Sequence, residues 1–487
     1  MSFARAVFWN TAIQTAGRGV STLLGLGVLA IMTRSLGPEN FGAYSIAVSF
    51  LQFFAIIADF GLSLTANRML GEVSGQSTTF SSEEREAQGR VMSNIFTLRL
   101  AVSVVFFAMA PLIAFVFFPY SLEVKQAIGI AIFSFFAIAL TQTLVPLFQQ
   151  CLRMEKVVMA ELAGRMALLV GISIAAWLKL DFLWYIAVIV LGSLVNFIFL
   201  RAQTGAFTRI RFAYDAELWR RIIAMSWPIG ISIIFNLIYL KADILFLSVL
   251  RPETEVGFYS AAYRVLDILT GMATMFMGLV LPAMTAAWVS GNRERFLRLL
   301  ERSFDAMVLV ALPTVAMGVI LGRPMMEFVA GRDFSFSGDI LGVLIFGMGA
   351  VFFSTLFGHT VVALGKQRSM IWGYALDAAF SLAAYAILIP RYGIWGAAWT
   401  TVFSEVLMVI LTAIVVVRSS RAALKTKNCF RILLSAGLAA IGMLLLRDTH
   451  WLAALALGAA LYGACLYVTG VLNRELLRDL LRLRRAS

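Results

Sequence analysis

GPENFGAYSIA at residues 37–47 and PETEVGFYSAA at residues 252–262 are two similar stretches, and they decide the architecture expected of this chain. With one residue inserted, both contain a Pro-Glu pair followed by Gly, Tyr-Ser and Ala at matching positions. Each stretch lies between two long apolar runs, so each is predicted to form a loop and to open the next helix. Chance similarity between two turn-forming segments is the alternative explanation. We interpret the match as an internal duplication.

The composition of the chain predicts a membrane protein. Of its 487 residues, 61% are hydrophobic and 14% are charged, whereas soluble domains average about 45–50% and about 25%. Apolar runs of the roughly 20 residues that a helix needs to cross a bilayer recur throughout, without the alternation typical of barrel strands. We therefore predict an all-α polytopic membrane protein with about 14 transmembrane helices, at residues 8–32, 41–67, 94–118, 126–150, 157–178, 182–204, 226–250, 256–288, 304–322, 338–364, 369–389, 393–417, 430–446 and 450–472.

The duplication organises these helices. Six predicted spans separate the two copies, so both copies have the same orientation in the membrane. This predicts two six-helix lobes related by a pseudo-two-fold axis along the membrane normal, plus two C-terminal helices. The predicted divisions are an N-terminal lobe at 1–204, a basic cytoplasmic linker at 205–225, a C-terminal lobe at 226–418, helices 13–14 at 419–472 and a basic cytoplasmic tail at 473–487.

The distribution of Lys and Arg predicts the orientation. With a cytoplasmic N-terminus, 27 of the 40 basic residues fall in inside loops and tails and 8 in outside loops. This bias follows the positive-inside rule, so both termini are expected in the cytoplasm. The net charge of +13 is then explained by topology and by attraction to anionic membrane lipids. Because the basic residues are scattered over short loops, nucleic acid is not an expected partner.

Several ionisable residues fall inside the predicted spans, where a charge costs about 2.5–3.5 kcal/mol and generally faces a bundle interior or a wet cavity. Because guanidinium and ammonium groups bind phosphate by charge-assisted hydrogen bonds, the central cations predict a cavity for an anionic lipid head. These candidates for substrate binding are Arg18, Arg165, Lys241 and Arg264. The acids, candidates for coupling or for charge pairing, are Asp59, Glu161, Asp243, Asp267, Asp377 and Glu405.

Helical spacing leaves a structural alternative open for some of these charges. Glu161 and Arg165 are four residues apart, so they can pair on one helix face and merely stabilise the bundle. The same holds for Arg264 and Asp267, which are three apart. Lys241, by contrast, lies two residues from its nearest acid, which points to nearly the opposite side of the helix. Another cation, Arg99, lies near a helix end and is predicted to snorkel to the surface.

Cofactor and metal chemistry is not expected. The three cysteines form no CxxC pair, and only His359 and His450 are available as imidazoles, so neither a disulfide framework nor a zinc site is predicted. No nucleotide-binding motif is present, so ATP hydrolysis is not expected.

Three segments resemble one known family. TRSLGPENFGAYSIAVSFLQFFAIIADFGL at 33–62, followed by Arg68, is similar to the opening of the polysaccharide-export flippases, which belong to the multidrug/oligosaccharidyl-lipid/polysaccharide (MOP) exporter superfamily. ADILFLSVLRPETEVGFYSAAYRVLDIL at 242–269 resembles the start of their second lobe. The segment at 363–406, with IPRYGIWGAA at 389–398, resembles their eleventh and twelfth helices.

The resemblance implies a non-enzymatic transporter of an undecaprenyl pyrophosphate-linked oligosaccharide for O-antigen, capsule or exopolysaccharide synthesis, working by alternating access. It also implies that Arg18 contacts the lipid phosphate, whereas Arg165, Lys241 and Arg264 are assigned by the physical argument alone. A polysaccharide polymerase and export machinery are possible partners. Two alternatives stay open: a multidrug exporter of the same superfamily, for which a surplus of acids would be expected, and a membrane polymerase or ligase, for which a large outside loop would be expected.

Overall fold

The structure is a computed structural model, and it describes residues 3–74, 82–205, 207–421 and 428–471. The predicted all-α membrane architecture is confirmed: within the described residues, twelve helical segments are long and apolar enough to cross a membrane. The predicted tail at 473–487 lies outside the described residues. The helices are α1 (Phe3–Asp59), α2 (Leu62–Ser74), α3 (Ser82–Phe117), α4 (Leu122–Gln150), α5 (Met154–Trp177), α6 (Phe182–Thr204), α7 (Ala216–Leu250), α8 (Glu253–Val289), α9 (Arg293–Ala330), α10 (Ser335–Ala363), α11 (Gln367–Tyr392), α12 (Ile394–Ser420), α13 (Cys429–Leu446) and α14 (Trp451–Val468).

The first two predicted spans form one helical element with a sharp break. The backbone of α1 is helical on both sides of a kink at Gly37, whose φ of 69° and ψ of 177° lie outside the helical region. Pro38 follows and has no N–H to donate, so the turn needs no partner for it. The loop predicted between residues 32 and 41 is therefore a one-residue break, because glycine adopts positive φ at little cost.

A second break separates α1 from α2. Phe60 and Gly61 have φ of 40° and 80°, and the helix resumes at Leu62. A non-glycine residue at positive φ is uncommon and costs about 1–3 kcal/mol unless its surroundings compensate. The interactions that compensate here are described below, at Asp59.

The chain divides into two compact units, Met1–Gly257 and Phe258–Ser487. The first holds α1 to α7 and the first turn of α8, and its apolar core includes Leu70, Met92 and Phe148. The division falls later in the sequence than the predicted linker at 205–225. The arrangement of two six-helix lobes stays a prediction.

In the second unit, the two C-terminal helices pack against α9. Ile432 of α13 and Leu466 of α14 form an apolar cluster with Val308 of α9. Further along α9, Leu321 forms a second apolar cluster with Met443 of α13 and Ala454 of α14. The thirteenth predicted span, 430–446, agrees closely with α13. Among the described residues, helices α13 and α14 thus pack chiefly against α9.

Candidate functional site

The first unit brings α1 and α5 together in parallel. Asn10 Oδ1 accepts a hydrogen bond from the backbone N–H of Met154, the first residue of α5, at 2.8 Å. One to two turns further on, Gly17 faces Val158 so closely that a Cβ on the glycine would lie 2.4 Å from a valine methyl carbon. Small residues permit this approach, as they do in many membrane helix pairs.

Two of the candidate ionisable residues lie along this helix pair. The Ser21 hydroxyl donates a 2.6 Å hydrogen bond to Glu161 Oε1. One turn later, Arg165 Nη1 lies 3.7 Å from where a Cβ on Gly25 would be. The described ion pairs do not join Glu161 to Arg165, so the alternative in which these two residues pair on one helix face is not formed in this structure.

Arg18 and Arg165 are both exposed to the surroundings of the protein. Within the described residues, no carboxylate lies within 4.0 Å of either guanidinium group. Arg18 lies seven residues before Gly25, which is about 10 Å along the helix axis. Two neighbouring helices therefore carry two cations that are available to an external anion.

Lys241 and Asp243 occupy different environments on α7. Lys241 is half-buried, whereas Asp243 is 1% exposed. Asp243 Oδ1 accepts the backbone N–H of Ile244 at 2.8 Å. The contrast in burial follows from their spacing of two residues on a helix.

Asp59 is the last residue of α1, at the break before α2, and its carboxylate is bound by a side chain of α3. Arg99 donates to Asp59 Oδ1 at 2.6 Å and to the carbonyl oxygen of Ala58 at 3.1 Å. Ser63 donates to the same carboxylate oxygen at 2.6 Å. The prediction that Arg99 snorkels to the surface is wrong: its side chain is 1% exposed, because this face of α3 packs inward. The guanidinium satisfies a C-terminal helix carbonyl and favours the negative end of the helix dipole.

In the second unit, Arg264 and Asp267 lie on α8 as the sequence spacing predicts. Their closest N–O distance is 4.0 Å, and the side chains are 40% and 42% exposed. A contact this long and exposed contributes little to stability.

Asp377 is the most buried candidate acid, with no exposed surface. Ser404 of α12 donates to Asp377 Oδ2 at 3.1 Å and accepts a 3.1 Å hydrogen bond from Ser381. Among the described residues, Asp377 Oδ1 has no hydrogen-bond partner. The neighbouring residue on α12, Glu405, is 5% exposed and is 3.4 Å from the Ser354 hydroxyl.

A second polar group in this unit was missed by the sequence reasoning. Thr401 Oγ1 lies 3.2 Å from the hydroxyls of both Tyr259 and Tyr385. All three side chains are largely buried. Thr401 and Ser404 are three residues apart in a mostly apolar span, and this spacing, which places them on one face of α12, is the signal that could have revealed the network.

No group of three or more metal-ligating side chains occurs in the part of the chain that the structure describes. The three cysteines are unpaired with one another. The candidate site residues described here therefore act as hydrogen-bonding and ion-pairing groups within membrane-spanning helices.

Apolar helices that hold charged groups within their spans define the class of this protein as a multi-pass membrane transporter. Comparison with solved structures agrees. The inward closed conformation of the lipid II flippase MurJ matches with a TM-score of 0.79 and 14% identity over 95% of this chain and 99% of that one. An inward-facing MATE multidrug resistance transporter of the MOP superfamily matches with a TM-score of 0.67 and 13% identity, over 82% and 94%. At these identities the likeness shows the fold, which is that of the MOP superfamily.

Sequence relatives identify the family. The putative O-antigen transporter of Shigella flexneri is 22% identical over 421 residues, 82% of this chain and 94% of that protein. The capsular polysaccharide biosynthesis protein CapF of Staphylococcus aureus is 21% identical over 213 residues, 43% of this chain and 54% of that protein. Residues 7–288, more than half of the chain, match the family described as polysaccharide biosynthesis protein. The chain belongs to this family.

Proposed function

We propose that this protein is an inner-membrane flippase that translocates an undecaprenyl pyrophosphate-linked oligosaccharide by alternating access, for O-antigen, capsule or exopolysaccharide synthesis, without chemical change to its substrate. The observation that carries the proposal is the pair of exposed guanidinium groups, Arg18 and Arg165, on the adjoining helices α1 and α5. Family membership supports a role in polysaccharide synthesis, and a relative named as an O-antigen transporter supports transport.

The chemistry of a pyrophosphate head fits these groups. Guanidinium forks bind phosphate oxygens in two parallel hydrogen bonds, and such bonds are stronger where water is partly excluded. Within the described residues Glu161 forms no ion pair with either arginine, and its carboxylate accepts a hydrogen bond from Ser21 at 2.6 Å. Lys241 in the first unit and Arg264 in the second are further proposed contacts for the phosphates.

Four of the six candidate acids divide into two groups under this proposal. Asp59 and Asp267 face cations at 2.6 Å and 4.0 Å, so we assign them to charge pairing. Asp377 and Glu405 are buried beside serines, so we propose that they take part in coupling transport to an ion or proton. The proposed orientation, with both termini in the cytoplasm, places the Lys- and Arg-rich loops on the inner side.

The test is transport by purified protein in vesicles that contain a fluorescent undecaprenyl pyrophosphate-linked oligosaccharide. Arg18→Gln and Arg165→Gln should each lower the initial rate about ten- to a hundredfold, the range for loss of a charged hydrogen bond. Arg68→Gln, which removes a 72% exposed guanidinium on α2, should leave the rate unchanged. Normal rates in both variants would exclude the proposed phosphate site, and a chemically altered product would show an enzyme instead.

A multidrug exporter is the second candidate. The buried acids Asp377 and Glu405 favour it, because carboxylates are the groups that would bind a cationic drug. Vesicles loaded with a cationic dye distinguish the two functions. Dye export that depends on Asp377, without movement of the lipid-linked sugar, would replace the flippase proposal.

A further inference from the structure

The segment that connects α6 to α7, residues 207–215, is not a loose linker. It is bound along α3 by backbone N–H groups at alternate positions, as in a β-strand. These groups donate to three polar side chains: Arg211 N–H to Ser93 Oγ at 3.0 Å, Ala213 N–H to Thr97 Oγ1 at 3.1 Å and Asp215 N–H to Asn94 Oδ1 at 2.9 Å.

The start of the segment is fixed to the same side of α3. Thr208 Oγ1 donates to the carbonyl oxygen of Arg85 at 3.1 Å. The absence of a side chain at Gly89 makes room for it, since a Cβ there would lie 2.6 Å from Thr208 Oγ1. Arg85, Gly89, Ser93 and Thr97 recur every four residues and so form one stripe along about 18 Å of α3. From Thr208 to Ala213 the segment therefore runs along α3 toward the apolar part of that helix, and at Asp215 it returns to the level of Asn94.

The inner side of the segment is packed against the first unit. Ile210 is 7% exposed, and its carbonyl oxygen accepts a hydrogen bond from Arg201 at 3.2 Å. Phe207 makes an edge-to-face contact with Phe148, with ring centroids 5.4 Å apart. These contacts fix which side of the segment faces outward.

The outward side combines cations and aromatic rings. Arg209 and Arg211 are exposed, and Phe212 and Tyr214 are 76% and 72% exposed. The acid in the segment, Asp215, is 24% exposed and is ion-paired with Arg90. The cations on this surface therefore do not compete with an exposed carboxylate of the same segment.

The two kinds of side chain lie at different levels along α3. The arginines lie beside Gly89 and Ser93, whereas the aromatic residues flank Ala213, which is bonded to Thr97. The part of α3 that contains no charged residue begins at residue 100. Aromatic rings favour the boundary between headgroups and acyl chains, and arginines just outside it attract anionic phosphates. The arginines thus lie further from the apolar part of α3 than the aromatic rings do, which is the arrangement expected at a membrane interface.

We propose that the outward side of residues 207–215 is a docking surface for anionic phospholipids on the side of the membrane from which α3 enters. Arg209 and Arg211 bind the headgroup phosphates, and Phe212 and Tyr214 lie at the interface below them. Lipid in this position would press the segment against α3 and keep the start of α7 at the membrane surface.

The first experiment measures depth. In full-length protein with its three cysteines replaced by serine, a nitroxide label on Phe212→Cys is compared in phosphatidylcholine/phosphatidylglycerol nanodiscs with labels on Glu294→Cys and Leu438→Cys. Residue 294 is 81% exposed on the charged start of α9, and residue 438 is on the apolar surface of α13. The label at 212 should collide with oxygen more, and with a water-soluble nickel reagent less, than the label at 294. Free access to nickel, or shielding from both reagents by protein, would overturn the proposal.

The second experiment measures lipid preference by native mass spectrometry, with phosphatidylglycerol and phosphatidylcholine competing for the purified protein. Arg209→Gln/Arg211→Gln should lower the preference for phosphatidylglycerol by about fivefold per arginine. The matched control is Arg295→Gln/Arg302→Gln, which removes two exposed arginines of α9 and should leave that binding intact. An unchanged preference in the first pair, or an equal loss in both pairs, would contradict a site on this segment.

Discussion

Gly42 and Gly257 are in reciprocal contact within the first compact unit. A Cβ on Gly42 would lie 1.8 Å from the carbonyl oxygen of Glu253, and a Cβ on Gly257 would lie 1.9 Å from the carbonyl oxygen of Pro38. Each of these carbonyls belongs to the residue four positions before the opposite glycine. The two helices thus exchange the same contact, with Cα–H groups directed at helix carbonyls.

This exchange is what a local two-fold axis between two related segments produces, because residue i of one contacts residue j of the other and the reverse also holds. The two segments are the similar stretches from which the duplication was inferred, with Gly42 and Gly257 at matching positions. The geometry supports the proposal that they are copies of one ancestral element.

Alanine at either glycine should therefore be destabilising by a similar amount. The added methyl group must push two helix backbones apart, for which overpacking costs of about 1–3 kcal/mol are typical, so Gly42→Ala and Gly257→Ala should both lower the thermal midpoint in detergent. Gly271→Ala and Gly278→Ala, on α8 with no atom within 4 Å of the added Cβ, provide the control and should be neutral or slightly stabilising. A loss in only one of the two contact variants would argue against a reciprocal contact.

The Arg99–Asp59 pair should be more costly to break than to replace. Arg99→Met removes the cation that pairs with Asp59 and the donor to the Ala58 carbonyl, leaving Asp59 with the Ser63 hydrogen bond alone, and breaking a buried pair in this way costs about 3–5 kcal/mol. The double variant Arg99→Met/Asp59→Asn removes both charges and should recover part of the loss. Unfolding by sodium dodecyl sulfate, measured for both single variants and the double, gives the coupling free energy. Additive losses would show that the two side chains do not depend on each other.

The sequence predicted the helices well because each one is determined locally, by some twenty apolar residues and the polar residues at their ends. It also predicted that Asp377 and Arg165 would lie within spans. It could not predict the break at Gly37 as a single residue, because glycine and proline are equally compatible with a longer loop. The prediction for Arg99 failed because the position of a residue along a helix indicates only its depth in the membrane. Whether its side chain points outward or inward depends on which face of the helix packs against neighbouring helices.

The side-chain networks were beyond sequence reasoning for a related reason. Tyr259 and Thr401 are 142 residues apart, and Ser21 and Glu161 are 140 apart, so neither pair can be inferred without knowing which helices are neighbours. Only Glu161 was identified from the sequence as a charged residue in an apolar run. Ser21 and Thr401 were not, because serine and threonine occur in membrane helices without any bonding requirement between helices.

Low pH should weaken the attachment of the connecting segment to α3 at Asp215, the last residue of the segment. The guanidinium of Arg90 donates a hydrogen bond to Asp215, and the Leu218 N–H donates another, which together hold the pKa of Asp215 below its usual value. Because the folded-state pKa is lowered, the stabilisation is fully present above the unfolded value of about 3.9 and is lost as the pH falls from there through the lower folded-state value. A spin label at residue 212 should therefore gain mobility only at a pH below the unfolded value, where the ion-paired carboxylate takes up a proton, in the otherwise unaltered chain. With Asp215→Asn, the label should be mobile already at pH 7 and show no step at low pH.

The junction of α11 and α12 should tolerate no side chain at Gly393, in the turn, or at Gly396, in the first turn of α12. Gly393 has φ of 59° and ψ of −136°, a conformation that is essentially restricted to glycine and costs other residues about 1–3 kcal/mol. Gly396 follows so closely on α11 that a Cβ would lie 2.4 Å from the Leu388 carbonyl oxygen. Gly393→Ala and Gly396→Ala should therefore each lower the thermal midpoint, the first through backbone strain and the second through a clash. Gly437→Ala, on α13 where nothing lies within 4 Å, is the control. Since Asp377 and Ser404 lie on the two helices that this turn joins, the variants should also weaken any transport activity that depends on Asp377, whereas full stability with full activity would show that the turn does not position them.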